Sequence, residues 1–224
     1  TGFPSPLSLS SLDGSNGVKF DGAVGGDRAG ASMRSAGDIN GDGLADVLIQ
    51  ATDRIYVVFG QSAGFVSPLA LASVNGQNGF KVDLPPGQFL TTASGLGDIN
   101  GDGLDDLIVG VTSPGSGATS YVLFGNHNGF GAVVQLSSLG GSTGFRIEGA
   151  AQGSHAVRVT GDTNGDGLND LLISDTSENG TAGRVYVVFG RANSFPSPLL
   201  LSTLSAAEGF HLDGELAGDF AGSV

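Results

Sequence analysis

The chain contains no cysteine and no tryptophan, a single methionine, 8 prolines and only 9 lysines and arginines in 224 residues. Without Cys there are no disulfides and no thiolate metal sites, although many secreted bacterial proteins share that lack, so the redox compartment stays open. The few basic residues are dispersed, which excludes a nucleic-acid binder, because affinity for phosphate backbones comes from Lys and Arg. Against 22 acidic residues they leave a formal charge of −13, so cations are the charged partners to expect. No run approaches the ~18 consecutive apolar residues of a membrane span. The opening Thr1-Gly2-Phe3-Pro4 has neither the basic nor the apolar region of a signal peptide, which fits a soluble chain from which any targeting segment has been removed.

Glycine is abundant, at 40 residues, and hydrophobic residues make up 39% of the chain, enough for a core. The glycines punctuate short apolar runs without a Gly-X-Y period, so they mark turns in a folded chain. The runs recur. Gly37-Asp38-Ile39-Asn40-Gly41-Asp42-Gly43-Leu44 returns at Gly97–Leu104 and, with Thr163 in place of Ile, at Gly161–Leu168, 60 and then 64 residues on. Ile55-Tyr56-Val57-Val58-Phe59-Gly60 returns at Ser120–Gly125 and Val185–Gly190, and Gly17-Val18-Lys19-Phe20-Asp21-Gly22 is echoed at Gly79–Asp83, Gly144–Gly149 and Gly209–Gly214. The apolar runs are four to six residues long, rich in β-branched and aromatic side chains, and bounded by Gly, which are strand lengths and not helix lengths.

Four strands in a repeat of about 60–65 residues fit a β-propeller blade, which needs its neighbours to bury both faces. A sandwich has no reason to repeat its words, and a β-helix coil is shorter. The sequence therefore predicts an all-β chain of four-stranded antiparallel blades, three full and two partial, as an open segment of a propeller. Expected boundaries are 1–24 for the end of one blade, 25–87, 88–150 and 151–214 for full repeats, and 215–224 for the start of another. Three full blades do not close a ring of at least four, so the segment is expected either to belong to a longer polypeptide or to complete itself with a second copy.

Each first word continues as Asp-x-Asn-Gly-Asp-Gly-Leu-x-Asp. Oxygen-bearing side chains stand at Asp38, Asn40, Asp42 and Asp46, at Asp98, Asn100, Asp102 and Asp106, and at Asp162, Asn164, Asp166 and Asp170. Alternating oxygens in a tight turn suit calcium, which takes six to eight hard ligands in a flexible shell, and the backbone carbonyls of Leu44, Leu104 and Leu168 would add to them. An EF-hand needs an acid at position twelve, where this chain has Ile49, Val109 and Ile173, and its flanks would be helices. Asn-Gly and Asp-Gly also make metal-free hairpin turns, but a turn alone does not require four oxygens at the same places three times. Three calcium sites are expected. They would absorb nine of the 22 acids and bring the charge from −13 to −7.

The Asp-x-Asn-Gly-Asp-Gly-x-x-Asp loop, the apolar strand after it and the Tyr-Val-Val-Phe-Gly strand together resemble the FG-GAP repeat of the integrin alpha-subunit β-propeller and its bacterial relatives. The resemblance covers essentially the whole chain. It implies a propeller, commonly of seven blades, with calcium in the hairpin loops of one face, held by the acids and Asn named above. The Gly-Ala-Pro word of the family is degraded to Gln50-Ala51-Thr52 and Ser174-Asp175-Thr176, and partly kept in Gly110-Val111-Thr112-Ser113-Pro114. No Arg-Gly-Asp is present.

Other signals dissolve under the repeat alignment. Gly60-Gln61-Ser62-Ala63-Gly64 has the spacing of a hydrolase nucleophile elbow, but its counterparts Gly125–Gly129 and Gly190–Ser194 make it a linking turn. His211 fills the slot of Lys19, Lys81 and Arg146, a place for cross-strand charge pairing, while His155 and His127 fall in variable positions. Asn179-Gly180-Thr181 is a glycosylation sequon of consequence only in a secreting eukaryote, and the near-identical repeats look bacterial. Phe3, Phe65, Phe130 and Phe195 precede Pro/Ser/Leu stretches and are expected to pack between blades. No catalytic residue is expected. The function expected is a non-enzymatic, calcium-binding module of a secreted or cell-surface protein, serving adhesion or the binding of a protein or glycan. The alternatives are a catalytic or accessory propeller of an extracellular hydrolase or lyase, and a carbohydrate binder, against which the lack of Trp weighs.

Overall fold

The computed structural model describes residues 6–114, 116–149, 157–192 and 194–222. Among these described residues it is all-β, with sixteen strands. β1 (Phe20–Asp21) is followed by β2 (Ser32–Gly37), β3 (Asp46–Gln50), β4 (Arg54–Val58), β5 (Leu69–Ala70) and β6 (Gly79–Asp83). Next come β7 (Phe89–Gly97), β8 (Asp106–Ser113), β9 (Ser116–Leu123), β10 (Val133–Gln135) and β11 (Gly144–Glu148). The last are β12 (Val157–Gly161), β13 (Asp170–Asp175), β14 (Arg184–Val188), β15 (Leu199–Leu200) and β16 (Gly209–Asp213). Among the described residues no helix is long and apolar enough to cross a membrane.

Three antiparallel meanders, β2-β3-β4-β6, β7-β8-β9-β11 and β12-β13-β14-β16, are the three blades. A fifth strand, absent from the sequence expectation, joins the first two. β10 lies parallel to β6 and β15 parallel to β11, and the isolated β1 takes β5 in the same way. These added strands come from the linker of the following repeat, so consecutive blades share a sheet. They are only two or three residues long, too short to read as strands from a sequence pattern. Each runs directly into a single 3-10 turn, at Leu71–Ser73, Leu136–Ser138 and Leu201–Thr203.

Alternation along the strands sends residues to opposite faces, and both faces of a middle blade are apolar. Leu48, Ile55, Val57 and Phe80 of the first blade meet Leu107, Val109, Tyr121 and Leu123 of the second in one buried cluster. Ile108, Val122, Phe145 and Ile147 on the second blade's other face meet Leu171, Ile173, Tyr186 and Val188 of the third. On the free side of the first blade, Ile49, Tyr56 and Val58 pack against Val18, Phe20 and Ala23. The linker phenylalanines pack between blades as expected: Phe130 stacks on Phe80 and Phe195 on Phe145, each with ring centroids 4.2 Å apart. Phe3 lies outside the described residues.

Candidate metal-binding loops

Each acidic loop leaves its first strand through a β-bulge, at Ser35/Gly37, Gly95/Gly97 and Val159/Gly161. The last residue of each is Gly with φ of 75°, 68° and 78°, a left-handed conformation that only Gly adopts without strain. The bulge turns the chain out of the sheet, so all three loops emerge at the same end of their blades. In the first two loops space is short as well: a Cβ on Gly97 would lie 2.0 Å from Asn169 Nδ2, and one on Gly37 would lie 2.2 Å from Asp105 Oδ2, whereas one on Gly161 would meet nothing within 4 Å.

Within the loop, position one collects the backbone. Asp38 Oδ1 accepts hydrogen bonds from the N–H groups of Gly41 (2.8 Å) and Asp42 (3.1 Å), and Oδ2 accepts one from Gly43 (2.8 Å). Asp98 accepts the same three, from Gly101, Asp102 and Gly103, and Asp162 those of Gly165, Asp166 and Gly167. The Gly167 N–H, supported by its neighbours, holds the Asp162 carboxyl below the usual carboxylate range. At position three, Oδ1 of Asn40, Asn100 and Asn164 accepts from the N–H of Asp42, Asp102 and Asp166, 2.9 Å in every loop. The Asn Nδ2 donates to Oδ2 of the same Asp at 3.0, 2.9 and 2.8 Å, and that Asp's Oδ1 accepts from the N–H of Leu44, Leu104 or Leu168. Positions one, three and five are thus drawn into one ring, three times over, with position five exposed in every loop and positions one and three half-buried in the first two.

Position nine does something else. Asp46, Asp106 and Asp170 are buried at the start of the second strand. One carboxylate oxygen of each accepts the loop's own second-residue N–H, from Ile39 (3.1 Å), Ile99 (3.0 Å) and Thr163 (2.7 Å). The other accepts the N–H of Gly60 (2.8 Å), Gly125 (2.9 Å) or Gly190 (2.9 Å) in the linking turn. Thr163 adds its hydroxyl to Asp170. Burial pushes the Asp46 carboxyl up to about 6 and that of Asp106 up to about 8, against the lowering effect of these amides. Repulsion from the ring acids Asp38, Asp42, Asp98 and Asp102 is smaller than desolvation at both sites.

The loops are also chained to one another. The Asp38 N–H donates to Asp105 Oδ2 at 2.6 Å, and the Asp105 N–H donates back to the Asp38 carbonyl at 3.1 Å. One blade on, the Asn169 N–H donates to the Asp98 carbonyl and Asn169 Nδ2 to that of Leu96, at 3.1 and 3.2 Å. Asp105 and Asn169 occupy the variable eighth position of the motif. Sequence alignment passed over them because the first repeat has Ala45 there; polar side chains in the two repeats that follow another were the available signal. The Leu of position seven lies over the linking turn, where a Cβ on Gly60 would meet Leu44 Cβ at 2.6 Å and one on Gly125 would meet Leu104 Cβ at 2.4 Å.

The set-aside residues also have places. Gly60–Gly64 is the turn after β4, closed by a hydrogen bond from the Gly64 N–H to the Gln61 carbonyl. His127 stands on an exposed linker beside Gly41, His211 lies 3.9 Å from Asp213 on β16, and Arg146 pairs with Glu148 at 2.9 Å. His155 and the Asn179 side chain lie outside the described residues. A one-turn helix, Glu178–Thr181, lies between β13 and β14, where Glu178 accepts the Tyr186 hydroxyl (2.8 Å) and pairs with Arg184 (3.1 Å).

The ring residues suit a hard cation in kind: two carboxylates and an amide oxygen per loop. Among the described residues, however, no group of three or more His, Cys, Asp or Glu side chains is arranged to hold a metal ion. The third carboxylate of each loop, at position nine, is committed to backbone amides.

A family model described as FG-GAP repeat matches residues 90–134 and 156–188. The chain is also similar to phosphatidylinositol-glycan-specific phospholipase D of Rattus norvegicus, 31% identical over 162 residues, and of Mus musculus, 32% identical over 162 residues. In each case 66% of this chain aligns with 18% of the relative, so the chain spans less than a fifth of the relatives it matches.

Proposed function

From the premise that this chain is built of FG-GAP repeats, we propose that it is a non-enzymatic propeller module of a secreted or cell-surface protein, stabilised by calcium in its three acidic loops. The observation that supports this is the hydrogen-bonded ring repeated in every blade, with Asp, Asn and Asp at the same positions and pre-positioned by backbone amides. Asp38, Asn40 and Asp42, with the Leu44 carbonyl, and their counterparts in the other loops would hold the ion. Calcium would supply positive charge that the Asn Nδ2 group now provides at 2.8–3.0 Å from the position-five carboxylate. The same charge would favour the ionised forms of Asp46 and Asp106, whose burial is otherwise opposed only by two amides each. Extracellular modules bind calcium with dissociation constants of roughly 10⁻⁴–10⁻³ M, which suits the millimolar calcium outside cells. The ion would rigidify the loop end of the blades, leaving the variable linkers to meet a protein or glycan ligand.

Calorimetric titration of the metal-free chain with calcium tests this directly. Three sites are expected, with two remaining in Asp42→Ala, and chelation is expected to lower the melting temperature by linkage. No heat of binding together with an unmoved melting curve would sink the proposal.

The similarity to the phospholipase D enzymes favours one further assignment, a non-catalytic propeller carried by a larger hydrolase. Its test is an assay of the chain alone and of its parent polypeptide on phosphatidylinositol-glycan substrates. Activity of the parent without activity of the chain is the expected result; turnover by the chain alone would make it catalytic instead.

A further inference from the structure

The first strands of the three blades stand side by side, β2 against β7 and β7 against β12. Arg34, Ser94 and Arg158 occupy the same position on them, opposite Leu48, Ile108 and Leu172 of the next strand in each blade. A serine flanked by two arginines therefore stands at one level of the array. All three line a single cavity of about 340 Å³, to which Thr91 and Thr92 of β7 also contribute. Among the described residues the rest of the lining is valine, and no acidic side chain belongs to it.

Consecutive strand residues ordinarily point to opposite faces. Thr91 and Thr92 depart from that rule because β7 has a second register shift, between Leu90 and Thr92, in which Thr91 is the extra residue, and a bulge re-aims a side chain. Both threonines come over Gly110, where an added Cβ would lie 2.8 Å from Thr91 Oγ1 and 2.8 Å from Thr92 Cγ2. The same position holds Gln50 in the first blade and Ser174 in the third, side chains that would take up that space. The Ser94 hydroxyl is engaged, donating to the Gly95 carbonyl at 3.1 Å, while the hydroxyls of Thr91 and Thr92 have no partner among the described residues. The walls are pinned to one another. Gln50 Nε2 donates across to the Ala93 carbonyl at 3.3 Å, Asn169 Nδ2 donates to that of Leu96 at 3.2 Å, and a Cβ on Gly95 would lie 2.8 Å from the Ser35 carbonyl oxygen.

In a chain of net charge −13, two arginines and two hydroxyl donors with no acid between them make a local positive site. About 10 Å of strand separates each arginine from the bulge glycine that opens its acidic loop, more than the ~8 Å Debye length at physiological ionic strength. Like charges lining one cavity repel, and an anion between them relieves that repulsion. We propose that this cavity binds a phosphate-class oxyanion, either the inorganic ion or a phosphomonoester. Arg34 and Arg158 clamp it from the first and third blades, and the Thr91 and Thr92 hydroxyls donate to it from the second. The planar guanidinium fork matches phosphate oxygens, and hydrogen bonds to a charged acceptor are the strong ones. The volume lies at the small end of ligand pockets, roughly 300–1,000 Å³, which limits the ligand to a phosphate carrying a small group. No loop oxygen takes part, so this site and the calcium proposal stand or fall separately.

Titration calorimetry of the chain, freed of metal and dialysed out of chelator, tests the proposal with sodium phosphate against sodium chloride of equal ionic strength. Phosphate is expected to bind saturably at one site and to raise the melting temperature beyond the effect of chloride. Arg34→Ala and Arg158→Ala should each weaken binding by about tenfold or more, the loss of one charge-assisted pair. Both residues are exposed, so circular dichroism should be unchanged. Lys81→Ala removes the same charge outside the cavity and should leave affinity as it was. Gly110→Ala, which displaces both threonines, should also weaken binding; Thr91→Val tests the same donor without a change beneath it. Phenyl phosphate separates the two sources: binding as tight as that of inorganic phosphate assigns a phosphomonoester, and its exclusion assigns the free ion. No saturable binding of either, arginine variants that bind like the parent chain, an equal loss in Lys81→Ala, or acetate bound as tightly as phosphate would each overturn the proposal.

Discussion

The aspartate at position nine of each loop is a carboxylate that organises backbone more than it faces solvent. Asp106 is fully buried and each of its oxygens holds one amide, from Ile99 in its own loop and from Gly125 in the linker. Asp106→Asn would turn an NH₂ group toward one of those donors and leave a buried N–H unsatisfied, which costs about 1–3 kcal/mol. Chemical denaturation of the metal-free variant should show that loss, whereas Asp102→Asn, at an exposed ring position, should leave metal-free stability nearly unchanged and weaken calcium binding. Gly97→Ala should also destabilise the fold, by about 1–3 kcal/mol for a side chain at positive φ and further because Asn169 occupies the space of the added methyl. Positions one to nine were legible as a set from their threefold repetition. Their division into a ring and a buried staple was not, because Asp in a loop looks the same in sequence whether its oxygens meet water or amides.

At the scale of the element, strand identity followed from apolar runs of strand length bounded by Gly, and the four-stranded meanders agree with it. The linker strands were illegible for a physical reason: two or three residues carry no period, and what makes them strands is the free edge of the preceding blade. The Phe of each linker was legible as packing, and its target is now specific. Phe145 is fully buried, stacked on Phe195 and tilted against Phe124, so it joins a blade to the next linker. Phe145→Ala should cost about 3–5 kcal/mol, as expected for a large aromatic removed from a core, measured by urea denaturation. Phe189→Ala, at a half-buried position beside the exposed Phe210, should cost much less.

Over the whole molecule, stability is a sum of blades and of interfaces between neighbours, with a charge of −13 working against compaction. Calcium and simple salt should then act differently. Sodium chloride screens the repulsion and should raise the melting temperature modestly, while calcium at the same ionic strength should raise it further, each occupied site contributing about 2.7 kcal/mol at a hundredfold excess over its dissociation constant. Equal effects of the two salts in a thermal melt would mean that the loops act only as surface charge. Composition and repetition by themselves determined the all-β class, the blade as the unit and the three acidic loops, because periodicity and glycine punctuation are local properties of a chain. Tertiary structure alone decided which oxygens face outward, that Asp105 and Asn169 tie loop to loop, and that the edges of the first two blades are completed by the next linker. The last two outcomes depend on groups from about 50 to 73 residues apart meeting at hydrogen-bond distance, and nothing in a local pattern encodes that meeting.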